Sequence, residues 1–241
     1  DAQAQAAARG VPCDALLSED DRPAEAILEA ERSHALTVMA THSRRRLDRL
    51  LLGSVTEAVL RRSDKPHLVV RAADENAPEP PAAAKPPAFK RLFFPTDGSP
   101  CSDHALSEAV TLAKALGAEL TLFHALETPV TVYTMTESMA HDPSVRQEAR
   151  EAAQAFLEKA RASAVAAGVR ASVQLADQLR PRAHPHEAVA AAERDFDLTV
   201  MGTHGRSGFE RAFLGSVTER VLRRSGAAHL VVRCPGAEAA G

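Results

Sequence analysis

Apolar and amphipathic segments alternate along residues 90–233. Five apolar or alternating runs predict strands: 90–97, 118–127, 169–176, 197–202 and 228–233. Apolar residues recur at helical spacing over 102–116 and 144–168, and Gly117 and Gly168 end these segments. Shorter helices are predicted near 186–194 and from residue 216. Strands that alternate with helices indicate right-handed crossovers and a parallel, doubly wound α/β sheet.

Part of this pattern occurs twice. At a constant offset of 162 residues, 36–71 matches 198–233 at 24 of 36 positions, which indicates an internal duplication. The proline-rich stretch "AADENAPEPPAAAKPPA" between the copies predicts an extended, semi-rigid connector. We therefore expect an incomplete first copy over 1–72, a linker over 73–89 and a complete domain over 90–235.

The first copy begins in the middle of the repeated pattern. Residues 1–19 match the end of the long helix and the third strand of the complete copy. We expect the first copy to contribute the third, fourth and fifth strands, with a gap two strands wide. The chain is then either a fragment of a longer tandem protein or a protein whose half-domain is completed by another subunit.

Composition narrows the class of protein. Of the 241 residues, 45% are hydrophobic and 25% charged, as in globular proteins, and a net charge of −3 favours neither nucleic acid nor anionic membrane as a partner. Cys13, Cys101 and Cys234 lie far apart with no C-x-x-C spacing, so we expect reduced thiols and a cytoplasmic location. No apolar run is long enough for a membrane span.

Two predicted strand ends carry unusual chemistry. Asp97 ends the first strand of the complete copy in "PTDGS", and Gly202 and Gly205 follow the fourth strand in "MGTHG". Carboxyl ends of parallel strands share one edge, where open sheets bind ligands. Gly215 and Ser216 open a helix, whose N-terminal amides and dipole favour phosphate. The pattern predicts a nucleotide site.

Several roles follow, with simpler alternatives beside them. Asp97 would accept hydrogen bonds from a ribose or a base amino group, while Arg206 and Ser216 would face phosphate oxygens. Alternatively, Asp97 forms only an Asx-turn with Ser99, and the glycines serve only turns. His204 contacts either phosphate or backbone. The "AHPHEA" histidines have no third or fourth ligand at suitable spacing, so no metal site is expected.

The pattern Gly-x2-Gly-x9-Gly-Ser that begins at Gly202, with "PTDGS" before it and "HLVVR" after it, resembles the ATP-binding class of the universal stress protein family. The resemblance covers nearly the whole chain. It implies an open, Rossmann-like sheet of five parallel strands in order 3-2-1-4-5, helices on both faces, and ATP, with or without Mg²⁺, as ligand. The residues implied on the base and ribose side are Pro95, Thr96, Asp97 and Ala125, and those implied on the phosphate side are Gly202, Gly205, Gly215, Ser216 and Val217.

The first copy departs from this motif. Ala40 and Ser43 replace two glycines, although Gly53 and Ser54 remain, and no strand bearing an aspartate precedes them. The arginines at 44–46 favour a solvated basic loop over an anion site. The resemblance also implies that the last strands, 67–71 and 229–233, pair across an intramolecular pseudo-dimer, with a homodimer through the same strands as a further possibility.

Three functions remain open from the sequence. The first is a stress-response module regulated by ATP binding in the second domain, because no Walker motif, acidic metal-binding pair or general base accompanies the loop. The second is an enzyme that slowly hydrolyses ATP or transfers adenylyl groups, although "PTDGSPCSD" has only one glycine. The third is a structural tandem without nucleotide.

Overall fold

The structure is a computed structural model that describes residues 2–41, 52–71, 88–126, 143–176, 184–203 and 214–234. The helices in these ranges are α1 (Ala2–Ala8), α2 (Pro23–Ala30), α3 (Ser54–Arg62), α4 (Pro100–Leu116), α5 (Pro143–Ala166), α6 (Pro185–Ala192) and α7 (Ser216–Arg224). The strands are β1 (Thr37–Thr41), β2 (His67–Arg71), β3 (Arg91–Pro95), β4 (Glu119–Ala125), β5 (Ala171–Ala176), β6 (Leu198–Gly202) and β7 (Ala228–Val232). Single 3₁₀ turns at Glu31–Ser33 and Glu193–Asp195 precede β1 and β6. Most of the predicted linker lies outside the described residues.

The strands of the described residues form one seven-stranded sheet, in the order β1-β2-β7-β6-β3-β4-β5. Neighbouring strands are parallel except β2 and β7, which are antiparallel. Within the second copy, β5-β4-β3-β6-β7 is the expected order 3-2-1-4-5, so the α/β class and that topology are confirmed. The expected count of five strands is corrected to seven, because β1 and β2 of the first copy extend the same sheet.

The predicted pairing of the two last strands is confirmed within the chain. Leu68 of β2 lies opposite Leu230 of β7, its own equivalent at the 162-residue offset. Because two equivalent residues face each other in an antiparallel pair, the two copies are related by a local two-fold axis at this point. Each strand thereby covers the edge of the other, and an apolar edge strand left uncovered is an aggregation hazard.

Side chains from both copies form a shared core beside this strand pair. Six buried residues contribute, three from each copy: Leu52, Leu60, Val69, Leu214, Leu222 and Val231. Next to this core, the α3 and α7 helices exchange ion pairs, with Arg223 3.0 Å from Glu57 and Arg61 3.7 Å from Glu219. Apolar burial therefore holds the copies together, and the half-exposed ion pairs add a small contribution where the two helices meet.

The expected third strand of the first copy is wrong. Residues 11–22 form no strand, and Leu16 and Leu17 are 81% and 90% exposed. In the second copy the corresponding strand β5 pairs along its length with β4. Among the described residues no equivalent of β4 lies beside residues 11–22, so a strand there would leave its backbone groups without a ladder.

Helices cover both faces of the second copy's sheet, as expected. Leu92 and Phe94 of β3 are buried in the core that includes α4 and α5, whereas Phe93 lies in the core formed with α6 and α7. This alternation follows from the two-residue period of a strand. The long helices end where the sequence predicts, because Gly117 adopts φ +61° and Gly168 φ +89°.

Candidate functional site

The site predicted from the sequence lies where the strand order reverses. Successive strands after β3 add on one side, as β4 and β5, whereas β6 and β7 add on its other side. β3 and β6 are parallel neighbours, with Leu92 opposite Leu198, so their carboxyl ends at Pro95 and Gly202 share one edge. Open α/β sheets bind ligands in the crevice at such a switch point.

The Asp97 turn leads from β3 into α4. Asp97 Oδ1 accepts hydrogen bonds from the Ser99 backbone N–H at 3.0 Å and from Ser102 Oγ at 2.7 Å. Ser99 Oγ in turn caps α4 by accepting from the Ser102 backbone N–H at 3.2 Å. The Asx-turn alternative is therefore present, and the same two bonds orient the Asp97 carboxylate at the sheet edge.

A buried histidine fixes the segment just before this turn. His124 Nδ1 lies 2.7 Å from the Thr96 carbonyl oxygen, and since a carbonyl only accepts, Nδ1 donates. The Thr96 N–H donates to the Phe123 carbonyl at 2.8 Å, which places Thr96 beside the end of β4 and thus near Ala125. The structure brings together the residues predicted for the base and ribose side, and sequence reasoning missed both His124 and Ser102.

The end of β6 and the start of α7 lie at the same sheet edge, on the other side of the switch point. The Gly215 N–H donates to the Thr203 carbonyl at 2.7 Å, and Thr218 Oγ1 donates to the Gly202 carbonyl at 2.9 Å. These bonds hold the first turn of α7 against the strand end. Gly215 is the N-cap residue of α7, and no side chain among the described residues caps this helix. Its N-terminal amides therefore face the same edge as Gly202 without a side-chain acceptor at the N-cap.

The remaining phosphate-side predictions lie outside the described residues. Gly205, Arg206 and His204 fall in residues 204–213, which separate Thr203 from Leu214. Ser216 is exposed and Val217 is half-buried at the start of α7. The described residues thus define the two ends of the predicted glycine loop, and the roles of Gly205 and Arg206 stay predictions.

The first copy has a different environment at the equivalent position. β1 is the last strand of the sheet on its side, so within the described ranges no strand adjoins it as β3 adjoins β6. Gly53 precedes α3 as Gly215 precedes α7, but Gly53 adopts φ +85° whereas Gly215 adopts φ −56°. The segment with Ser43 and the arginines at 44–46 lies outside the described residues. The described part of the first copy therefore lacks an equivalent of β3 and of the Asp97 turn.

The buried Glu193 contacts side chains of both β6 and β7 near the amino ends of these strands, at the sheet edge opposite the predicted site. Glu193 Oε2 accepts from Thr199 Oγ1 at 3.1 Å and lies 2.9 Å from His229 Nε2. Burial opposes ionisation of Glu193, but hydrogen bonds from His229, Ser225 and Thr199 hold the pKa of its carboxyl below the usual range. The first copy repeats the arrangement with Glu31 and His67 at 3.0 Å. Sequence reasoning missed this cluster, although all its members recur at the 162-residue offset.

The cysteine prediction is wrong for two of the three residues. Cys101 and Cys234 form a disulfide, with their Cα atoms 5.2 Å apart, and Cys13 is free and exposed. The sequence separation of 133 residues concealed this contact. Cys101 lies in the first turn of α4 and Cys234 lies just after β7, and the carboxyl ends of β3 and β7 lie on the same side of the sheet.

Among the described residues, no group of three or more histidine, cysteine, aspartate or glutamate side chains is arranged to hold a metal ion. The rings of His184 and His186 stack with centroids 5.3 Å apart. Burial, together with Arg220 and Arg224, lowers the pKa of His186, as expected for a neutral packed imidazole. Among the helices described, none has the length and apolar character that a membrane span requires.

Comparisons with known proteins agree with the sequence resemblance. The sequence model of the Universal stress protein family matches residues 1–71 and 88–233. A universal stress protein of Methanocaldococcus jannaschii is 32% identical over 151 residues, covering 62% of this chain and 85% of the relative. One from Mycolicibacterium smegmatis is 27% identical over 211 residues, which is 87% of this chain and 65% of the relative. A crystal structure of a universal stress protein from Archaeoglobus fulgidus has a TM-score of 0.64 at 23% identity, covering 96% of this chain and 72% of that one.

Proposed function

Since the chain belongs to the universal stress protein family, we propose that its second copy binds an adenine nucleotide, ATP, as a regulatory stress-response module. The chain spans about two thirds of the length of the Mycolicibacterium smegmatis relative, so this proposal concerns the site in the second copy. The site is the crevice between the Asp97 turn and the N-terminus of α7.

One observation carries the proposal. The oriented Asp97 carboxylate and the N-terminus of α7 lie at the same sheet edge, on the two sides of the switch point between β3 and β6. A nucleotide needs both features, because its ribose hydroxyls and base amino group donate hydrogen bonds while its phosphates accept them. In this arrangement Asp97, with Pro95, Thr96 and Ala125, serves the base and ribose. The phosphates are bound by Gly202, Gly205, Arg206, Gly215, Ser216 and Val217.

Binding should be visible as a gain in stability. A micromolar site corresponds to roughly 8 kcal/mol of binding free energy. ATP at a hundredfold excess over its dissociation constant should stabilise the fold by about 2.7 kcal/mol. If the protein is a binding module, the added ATP should be recovered intact after long incubation with the protein and Mg²⁺. Conversion of that ATP to an equal amount of ADP or AMP would indicate an enzyme.

The internal duplication supplies a matched test. Ser216→Asp places a carboxylate at the start of α7, and Ser54→Asp places the same group at the start of α3, which shares the sequence Ser-Val-Thr-Glu. An acidic residue in the first turn favours either helix, so both apo proteins should stay folded. Only Ser216→Asp should repel a phosphate, and we expect it to weaken ATP binding at least about tenfold in calorimetry.

A second variant tests the ribose side. Asp97→Ala removes the proposed acceptor and should abolish most of the ATP-dependent melting shift. Because this change also removes the Asx-turn, the apo melting curve must be recorded alongside. Nucleotide binding to the second copy is refuted if the wild type shows no ATP-dependent shift, or if Ser216→Asp binds ATP as tightly as Ser54→Asp.

A further inference from the structure

The Cys101–Cys234 disulfide lies at the same edge as the proposed nucleotide site. Cys101 is the second residue of α4, between the N-cap Ser99 and Ser102, which donates to Asp97 Oδ1. The disulfide is therefore attached to the turn that orients Asp97. Its other half, Cys234, follows the end of β7.

Thr203 connects the second cysteine to the start of α7. Thr203 Oγ1 lies 3.6 Å from Cys234 Sγ and accepts from the Cys234 backbone N–H at 3.4 Å. The Thr203 carbonyl accepts from the Gly215 N–H, which holds the start of α7. Through this chain of contacts, the disulfide links the Asp97 turn to the strand end where the glycine loop begins.

The surroundings of Cys101 and Cys234 also favour reversible thiol–disulfide exchange. Both cysteines are half-buried and lie outside the packed core. Cys101 stands in the first turn of a helix, where the dipole favours a thiolate. The two Cα atoms lie 5.2 Å apart, within the range that a disulfide can span.

We propose that Cys101 and Cys234 form a reversible redox site that sets the nucleotide affinity of the second copy; the affinity part rests on the proposed function. The oxidant is a low-molecular-weight disulfide such as glutathione disulfide. The Cys101 thiolate attacks one of its sulfurs and releases one small thiolate. The Cys234 thiolate then attacks the mixed disulfide at Cys101 and releases the second. The protein pair loses two electrons and its two protons, and the small disulfide becomes two thiols.

Oxidation should tighten binding. With the bond closed, the Asp97 turn and the Thr203 strand end are held at a fixed separation before ATP arrives. With the bond open, ATP must order both segments when it binds, which costs part of the interaction energy. We expect the reduced protein to bind ATP roughly threefold to tenfold more weakly than the oxidised protein.

The first experiment asks whether the site exists. A Cys13→Ser variant, which removes the exposed free thiol, is equilibrated in glutathione buffers of graded redox ratio, alkylated and digested. Mass spectrometry should find a peptide linking positions 101 and 234 under oxidising conditions and the two alkylated thiols under reducing ones. Alkylation of both cysteines at every ratio, or a link that excess reduced glutathione never opens in the folded protein, would overturn the proposal.

The second experiment measures the consequence. ATP affinity is measured by calorimetry for the oxidised and reduced Cys13→Ser protein, with Cys101→Ser added in a control that should bind like the reduced form in both buffers. Equal affinity of the two redox states would overturn the affinity part. If neither state binds ATP, the proposed function fails, and hydrogen exchange of residues 96–103 and 203 decides the redox proposal. Those amides should exchange more slowly in the oxidised state, and equal rates would refute it.

Discussion

Gly98 allows a single methyl group to test the Asp97 turn. This residue adopts φ +74°, and a Cβ atom there would lie 3.2 Å from Cε2 and 3.3 Å from Cζ of Phe156. The Phe156 ring packs edge-on against His124, with centroids 5.9 Å apart, and His124 donates to the Thr96 carbonyl. A methyl group at Gly98 therefore pushes on the residues that hold the turn in place.

Two costs add up to the expected loss of stability in Gly98→Ala. A left-handed backbone costs an alanine about 1 kcal/mol. Displacing the Phe156 ring by a few tenths of an ångström adds an overpacking cost of about 1 kcal/mol. Gly98→Ala should thus lower the free energy of unfolding by about 2 kcal/mol, or the melting temperature by about 4–8 °C in a chain of this length.

Gly117→Ala is the matched control. Gly117 adopts φ +61°, and a Cβ atom there meets nothing within 4 Å, so this variant carries the backbone cost alone. Measured by urea denaturation, the free energy of unfolding of Gly117→Ala should be about 1 kcal/mol higher than that of Gly98→Ala. Phe156→Leu, by removing the ring, should recover most of that difference in a double-mutant cycle. The reasoning is refuted if Gly98→Ala and Gly117→Ala are equally stable.

Three further outcomes follow from the sheet and its buried glutamate. Val231→Pro removes a ladder donor from the central strand β7 and should lower the melting temperature far more than Val38→Pro on the edge strand β1; similar curves would contradict the strand order. The depressed pKa of Glu193 means that its stabilising contribution is present above its ordinary pKa of 4.5 and is lost as the pH falls through the folded value. Glu193→Gln should therefore be destabilising at pH 7, with a deficit that shrinks below about pH 4.5, and a deficit independent of pH would exclude this role. Amides of β1 should exchange faster than those of β6, because Val38 is 60% exposed and Val200 is fully buried, and equal protection would count against an open edge.

Local patterns determined most of the second copy. The apolar runs predicted its strands, and the helical spacing with Gly117 and Gly168 predicted the long helices. These signals are readable because a strand or helix depends on side-chain periodicity and on residues close in sequence. The pairing of the two last strands was implied by the family resemblance. The placement of Asp97 and Gly202 at one edge followed from the rule for parallel sheets.

Contacts between distant residues required the tertiary structure. Whether residues 11–22 form a strand depends on a neighbour for their backbone groups, and the described residues provide none, so their sequence match to β5 did not produce a strand. The fusion of both copies into one seven-stranded sheet likewise results from pairing across the chain.

The site shows the same division. The sequence by itself predicted a turn at Asp97 and a helix beginning near Ser216, because each depends on a short motif of a few residues, and the ligand contacts of these residues and of the loop glycines stay predictions. Only the tertiary structure brought His124 to the Thr96 carbonyl, Glu193 to His229 and Cys101 to Cys234. Those pairs are 28, 36 and 133 residues apart, and their meeting depends on the strand order and on the packing of helices against the sheet, which no local pattern encodes.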